Sequence, residues 1–174
     1  MSTYNKITLS ELSDKLYKLL DNEHKYSKKK IYFAGPWFTD KAKVVMNYCI
    51  ALVDKLGCAN NYNIYFPMQH TNNDSPSDTF DDNISQINKA DIVVALIQEK
   101  DTGTAFEIGY AASKGKYIVL LGYDESCFKN GTNIMLAFAA NKCITLDKLS
   151  KFLRNDLNGD KDCVIIEDSW EGKQ

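Results

Sequence analysis

Short apolar runs alternate along the chain with longer amphipathic stretches, in which apolar residues recur at helical spacing. The apolar runs predict five strands, at 31–34, 63–66, 91–97, 117–121 and 142–145. Apolar residues at helical spacing predict helices at 40–56, around 84–90, and at 104–114, 133–140 and 146–155. A polar loop is predicted at 70–79, and 163–166 is a candidate edge strand.

Strands that alternate with helices indicate βαβ units and a parallel sheet covered on both faces. The unbroken apolar runs favour the same fold, because half-exposed strands would alternate in polarity. We therefore predict an α/β fold, a single doubly wound, Rossmann-like domain with a five-stranded parallel sheet. Its predicted strand order is the flavodoxin-like 2-1-3-4-5. The domain spans 30–174, and 1–29 is an N-terminal helical extension that opens with a capping box at 8–11.

Composition narrows the classes of function. The chain has 174 residues and a net charge of −2, which argues against a dedicated nucleic-acid binder. No apolar run approaches the roughly 20 residues that span a bilayer, and the N-terminus lacks an apolar signal region. Five dispersed cysteines without a Cys-x-x-Cys pair, and two distant histidines, predict reduced thiols and no metal site. We expect a cytoplasmic protein without a membrane partner.

The predicted fold locates a ligand site before any motif is considered. In doubly wound sheets the ligand lies beyond the carboxyl ends of the strands, where the strand order reverses. In this order the reversal falls between the first and third strands. The loops that follow them, at 35–40 and 98–107, should therefore form the site.

The first of these loops offers apolar surface and close backbone approach. Gly35 allows a ligand near the main chain, and Trp37 and Phe38 provide flat rings on which a planar group can stack. The alternative is that both aromatic side chains belong to the core. The loop lacks the Gly-x-Gly-x-x-Gly pattern of dinucleotide-binding proteins.

Between 101 and 111, where the second loop turns into a helix, the chain carries two carboxylates, Asp101 and Glu107. Glu107 is predicted in the first turn of a helix, among small and apolar neighbours, and Asp101 precedes it at the strand end. Glu107 either interacts with the helix dipole or is a partly buried carboxylate with a pKa set for chemistry. Asp101 would orient a substrate hydroxyl or share a proton with Glu107. Paired carboxylates suit chemistry at the anomeric carbon of a sugar.

Four segments, 31–38, 90–93, 101–111 and 133–135, resemble the nucleoside 2-deoxyribosyltransferase family, and the closing 170–172 adds a short match. The resemblance implies transfer of 2-deoxyribose between nucleobases with retention of the β configuration. It makes Glu107 the nucleophile of a double displacement, in which two inversions give net retention. The implied substrates are deoxynucleosides and free nucleobases, used in nucleoside salvage, and no cofactor is implied.

The resemblance also assigns the surrounding residues. Asp101 matches the carboxylate that holds the sugar hydroxyls, and Tyr32 matches a tyrosine beside the nucleophile. Substrate-binding positions are further matched in the two loops and near the last helices, at Gly35, Trp37, Phe38, Gly103, Asn133 and Met135. The last two would reach into the site of a neighbouring subunit, which implies a homo-oligomer with shared sites.

The chain departs from the family on the side of the nucleobase. The family carries an aspartate before the position of Ile84, where this chain has Asn83 with Asp82 beside it. Asn83 cannot act as a general acid, so Asp82 would serve, or the departing base would be protonated otherwise. Gln69 is a candidate hydrogen-bonding contact to the base. The preference for purine or pyrimidine bases stays open.

Two further functions compete with transfer. The first is an N-glycosidase that hydrolyses 2′-deoxynucleoside 5′-monophosphates on the same fold. The stretch Pro36-Trp37-Phe38 of the first loop and Asn133 favour an uncharged 5′-hydroxyl over a phosphate. The second is a non-catalytic nucleotide-sensing module, because a fold does not by itself establish catalysis.

Overall fold

Five parallel strands form one sheet in the computed structural model, which describes residues 10, 13–14, 28–56, 62–70, 75–129 and 133–154. The strand order is β2-β1-β3-β4-β5, which confirms the predicted fold class and topology. The strands are β1 (Lys29–Ala34), β2 (Tyr62–Tyr65), β3 (Ile92–Leu96), β4 (Tyr117–Gly122) and β5 (Lys142–Thr145). The helices are α1 (Asp40–Leu56), α2 (Pro76–Lys89), α3 (Thr102–Ser113), α4 (Ser126–Lys129), α5 (Ile134–Ala139) and α6 (Leu149–Leu153).

Apolar cores lie on both faces of the sheet, because successive side chains of a strand point to opposite faces. On one face, Ile31 and Phe33 of β1 pack in a cluster that includes residues of α1 and α6. On the other, Tyr32 and Ala34 join a cluster that includes residues of α2 and α3. β3 is buried along its whole length, as a central strand between two helical layers requires.

The prediction of a polar loop at 70–79 was wrong for residues 76–79, which are helical. Helix α2 begins at Pro76, and its N-cap Ser75 accepts a hydrogen bond through Oγ from the Asp78 amide at 3.2 Å. Proline suits the first helical position, because its missing N–H would have no partner within the helix there. The Asn, Asp and Ser residues of this segment hid the helix start, since the same residue types favour loops and N-caps.

The start of α3 also differs from the prediction. The helix begins at Thr102, with Asp101 as its N-cap, and ends before Gly115, whose φ is +64°. Glu107 therefore lies in the second turn and not in the first, which weakens its interpretation as a partner of the helix dipole, an effect confined to the first turn.

Several predictions fall outside the described residues, namely most of the extension at 1–29 and the candidate strand at 163–166. Of the described helices, none combines the length and apolar character needed to cross a membrane. Within the described residues, Cys49, Cys127 and Cys143 form no disulfide.

Candidate active site

A tyrosine and a glutamate form a partly buried hydrogen bond toward the carboxyl edge of the sheet. Tyr32 is fully buried in β1, and its hydroxyl donates a hydrogen bond to Glu107 Oε1 at 2.6 Å. The two residues lie 75 positions apart in the chain, so only the packing of α3 over the sheet brings them together. A short hydrogen bond of this kind fixes the orientation of the carboxylate.

Burial sets the electrostatics of this pair. Loss of hydration raises the pKa of Glu107 from its ordinary 4.5 to about 7, the Tyr32 hydrogen bond opposes this rise, and the charge of Asp101 adds to it. Burial and the neighbouring carboxylate of Glu107 raise the pKa of Tyr32, so its hydroxyl stays protonated and remains a donor. Glu107 is thus a carboxyl group that changes charge near neutral pH.

Asp101 is held rigidly at the N-terminus of α3. Its Oδ2 accepts hydrogen bonds from the Thr104 amide at 2.6 Å and from Thr104 Oγ1 at 2.8 Å. Gly103 leaves room for this cap, since a Cβ there would lie 3.2 Å from Asp101 Oδ2. The hydrogen bonds of Asp101 Oδ2 go to Thr104, so Asp101 influences Glu107 through its charge.

The two loops predicted to form the site are tied together by a side-chain contact. The Thr39 hydroxyl lies 2.8 and 2.7 Å from the two carboxylate oxygens of Glu99, and Thr39 Oγ1 also accepts from the Ala42 amide of α1. Glu99 and Lys100 both have positive φ, 75° and 51°, which is costly for residues other than glycine. This contact therefore helps hold a strained turn immediately before Asp101.

The two aromatic residues of the first loop have different surroundings, since one packs against the core and the other is exposed. Trp37 packs against the core on the α1 face, and its Nε1 is buried with no acceptor among the described residues. Phe38, in contrast, is 83% exposed. Gly35 fits tightly here, since a Cβ at this position would lie 2.6 Å from Met46 Sδ. The structure therefore makes Trp37 part of a core and leaves Phe38 as the free ring of this loop.

A second tyrosine–carboxylate pair lies beside the first. The hydroxyl of Tyr65 donates to Asp82 Oδ2 at 2.6 Å, and the ring of Tyr65 stacks on that of Tyr32 with centroids 5.8 Å apart. Asn83 is half-buried next to Asp82 in α2. Gln69 is exposed at the end of a 3₁₀ turn, Pro67–Gln69, and precedes His70, whose ring stacks on that of Tyr65 at 4.5 Å.

Asn133 and Met135 lie on the other side of α3. Asn133 caps α5 by accepting from the Met135 amide through Oδ1 at 2.8 Å, and Met135 is 75% exposed. Both line a cavity of about 860 Å³ between α3 and α5, whose wall also includes Asp101 and Thr104. The single chain thus does not bring them beside the Tyr32–Glu107 pair, and their reach into a neighbouring subunit stays a prediction.

Sequence reasoning missed Tyr65, Thr39 and Glu99. A signal for Tyr65 was available, since it ends the second strand and pairs in register with Tyr32 once the strand order is known. Thr39 directly precedes α1, where a threonine suggests an N-cap. The contact of Thr39 with Glu99, 60 residues away, has no local signal.

This protein is an α/β domain with a partly buried carboxylate at the topological switch point of its sheet, an arrangement that many enzymes share. Comparison with known proteins narrows that class. The model of the nucleoside 2-deoxyribosyltransferase family matches residues 31–153, more than half of the chain. The chain belongs to this family.

Individual relatives agree with the assignment. A nucleoside deoxyribosyltransferase of Lactobacillus leichmannii is 26% identical over 141 residues, which cover 72% of this chain and 89% of that protein. The structure of a 2-deoxyribosyltransferase from Bacillus psychrosaccharolyticus has a TM-score of 0.56 at 22% identity, covering 66% of this chain and 85% of that one. A CMP N-glycosidase from Clostridium botulinum has a TM-score of 0.50 at 21% identity, over 73% and 97% of the two chains. These two structures support the fold.

Proposed function

We propose that the protein transfers 2-deoxyribose from one nucleobase to another through a covalent deoxyribosyl intermediate on Glu107. The observation that carries the proposal is the partly buried hydrogen bond from the Tyr32 hydroxyl to Glu107 Oε1 at 2.6 Å, at the switch point of a chain of this family. A carboxylate oriented by a buried hydroxyl, close to a second carboxylate at Asp101, is suited to attack at an anomeric carbon.

The reaction proceeds in two displacements at C1′. An oxygen of ionised Glu107 bonds to C1′ while the C1′–N bond breaks, and its electron pair leaves with the first base, which takes up a proton. A nitrogen of the second base then bonds to C1′ and loses a proton as the bond to Glu107 breaks. Each step inverts C1′, so the β configuration is retained. In this scheme Asp101 accepts hydrogen bonds from the sugar hydroxyls.

The site's electrostatics suit this cycle. With a pKa of about 7, Glu107 is ionised in a substantial fraction of molecules at neutral pH, and its raised basicity favours its attack on C1′. The remainder of the proposal follows the family: a homo-oligomer in which Asn133 and Met135 complete a neighbour's site, acting in nucleoside salvage in the cytoplasm without a cofactor.

An HPLC assay with thymidine plus adenine, and with deoxyinosine plus cytosine, tests the proposal. We expect a new deoxynucleoside that requires both substrates. Intact-mass analysis without an acceptor should detect the protein with one added deoxyribosyl group. Glu107→Ala should abolish both signals, whereas Asp147→Ala, which removes an exposed carboxylate remote from the site, should keep them.

Three results would contradict the proposal. Release of free base only from deoxynucleoside monophosphates would indicate the hydrolase. Ligand binding that survives Glu107→Ala, without turnover in any mixture, would indicate the sensing module. Transfer that persists in Glu107→Ala would assign the nucleophile to another residue.

A further inference from the structure

The chain passes from β3 into α3 through a turn in which two residues adopt left-handed backbone conformations. β3 ends at Leu96, and α3 begins at Thr102 with Asp101 as its N-cap. Between them Glu99 and Lys100 have φ of 75° and 51°, a region that residues other than glycine rarely occupy. Such a conformation persists only where neighbouring groups hold it in place. Asp101, a carboxylate of the proposed site, directly follows this turn.

The turn is held from the first loop. Thr39 Oγ1 lies 2.8 and 2.7 Å from the two carboxylate oxygens of Glu99, so its proton is shared between them. The same oxygen accepts from the Ala42 amide of α1 at 3.1 Å, which aims the proton at Glu99. Within the described part of the chain, the Glu99 side chain makes no other hydrogen bond. The start of α1 thus fixes the turn through one side-chain contact.

This contact is charge-assisted, exposed to solvent and local in its effect. A hydroxyl donates more strongly to an ionised carboxylate than to a neutral acceptor. The negative charge of Glu99 also lies next to the N-terminus of α1, where the helix dipole favours an anion. Glu99 is exposed, so water competes for the bond and its contribution to the stability of the whole domain is small. The contact therefore sets the conformation of the turn more than it stabilises the fold.

Two candidate substrate contacts lie on opposite sides of this hydrogen bond. Phe38, whose ring is 83% exposed, directly precedes Thr39 in the first loop. Asp101 directly follows the turn, and its hydrogen bonds to Thr104 fix it relative to α3 but not relative to the first loop. Both of those bonds use Oδ2, which leaves Oδ1 for a substrate hydroxyl.

Backbone pairing does not extend to this level of the structure. The ladder between β1 and β3 ends at the pair Ala34 and Ala95, and the first loop and the turn continue beyond it. There the hydrogen bond of Thr39 with Glu99 joins the first loop to the turn. A sugar held between the two sides therefore depends on a bond that does not touch it.

We propose that Glu99 is a positioning residue, which acts through Thr39 to hold Asp101 at the distance from the first loop that the sugar of the donor requires. The inference rests on the proposed function, in which Asp101 accepts hydrogen bonds from the sugar hydroxyls. Glu107 is held separately by its hydrogen bond to Tyr32, so release of the turn weakens sugar binding and spares the bond-forming step. An interaction made equally in the bound substrate and in the transition state changes KM and not kcat.

The test measures donor and acceptor kinetics separately, with thymidine as donor and adenine as acceptor. Thr39→Val and Glu99→Ala should each lower kcat/KM for the donor by roughly 3- to 10-fold, the equivalent of about one hydrogen bond, with kcat nearly unchanged. The value for the acceptor should change little, because the sugar is then covalently bound to Glu107. Thr39→Ser keeps the hydroxyl and should restore the donor value. Asp147→Ala, which removes an exposed carboxylate elsewhere, is the matched control.

Three further variants test through which residues Glu99 acts. The double variant Thr39→Val/Glu99→Ala should be no less active than the less active single variant, because both changes remove the same bond. Glu99→Ala should add little to the effect of Asp101→Ser, which keeps an N-cap but shortens the side chain. Glu99→Gly should lose less than Glu99→Ala, because glycine adopts a positive φ without steric cost.

Unchanged donor kcat/KM in both single variants would overturn the inference while leaving transfer itself intact. A loss shared equally by donor and acceptor, together with a lower urea midpoint, would show that the contact only stabilises the fold. Additive losses in the double variant would show that Thr39 and Glu99 act separately, which also contradicts the inference. Absence of transfer by the unaltered protein would instead contradict the proposed function.

Discussion

The side chains of β1 that point to one face of the sheet are apolar, whereas those that point to the other face include a tyrosine hydroxyl. Ile31 and Phe33 enter an apolar cluster beneath α1 and α6, whereas Tyr32 between them carries a hydroxyl into the opposite layer. There it meets Glu107, and the small Ala34 and Ala95 lie in the same layer. Side chains on one face only pack, whereas the other face combines packing with the partly buried Tyr32–Glu107 hydrogen bond of the proposed site. Changes on the two faces should therefore separate stability from activity.

Glu107→Gln should give the largest effect and should act on activity alone. Glutamine keeps the size of the side chain but cannot serve as a carboxylate nucleophile, so we expect transfer to fall by roughly 10⁴-fold or more. Urea unfolding should show a midpoint equal to or above that of the unaltered protein, since a buried ionisable group has been removed. A matched loss of stability would mean that the two faces are not separable.

Phe33→Ala should give the opposite result. Phe33 is fully buried and stacks on Phe66 at 4.8 Å, so truncation should cost roughly 3–5 kcal/mol in the free energy of unfolding. Denaturant titration measures this loss, with Val44→Ala on the exposed face of α1 as a near-neutral control. Turnover per folded molecule, measured well below the melting temperature, should change little.

The pH dependence of stability should report the burial of Glu107. Its pKa rises from 4.5 to about 7 on folding, so the native state holds this proton more tightly than the unfolded chain. The free energy of unfolding should therefore fall as pH rises from about 4.5 to 7 and level off above that, by at most about 3 kcal/mol. Subtracting the pH profile of Glu107→Gln isolates this contribution, and parallel profiles would show that the carboxyl is not buried as described.

Tyr32→Phe should lower the rate by much less than Glu107→Gln does. Loss of the hydroxyl leaves Glu107 without its orienting donor, and we expect kcat/KM to fall by roughly 10- to 100-fold. The same hydrogen bond lowers the pKa of Glu107, so its removal should move the rise of activity to higher pH. A pH–rate profile that keeps its position would show that Tyr32 does not act through Glu107.

Much of the fold was predictable because its signals are local. Helix α1 and strand β5 have the predicted bounds, and the strand order followed from the alternation of apolar runs with helices. The errors in the predicted helix starts occurred at residue types that favour both loops and helix N-caps. Ser75 and Asp101 read as loop residues in the sequence, but in the structure they cap helices that begin at Pro76 and Thr102.

The candidate site was predictable only in part. The rule for doubly wound sheets pointed to the loops that carry Asp101 and precede Glu107, and the family resemblance added Tyr32. Neither pointed to Tyr65, whose significance depends on its register with Tyr32 and on the position of Asp82 in α2. Trp37 was open to two interpretations, and its packing against the α1-side core could be established only from the fold.

The sequence by itself determined the order of the elements and the residue types available at the switch point, since both depend on hydrophobic periodicity and chain position. Tertiary structure decided which hydroxyl meets which carboxylate and how buried each carboxylate is. Tyr32 and Glu107 are 75 residues apart, and Tyr65 and Asp82 are 17 apart. Hydrogen bonding and loss of hydration depend on distances of a few ångströms, and these arise only when the helices pack on the sheet.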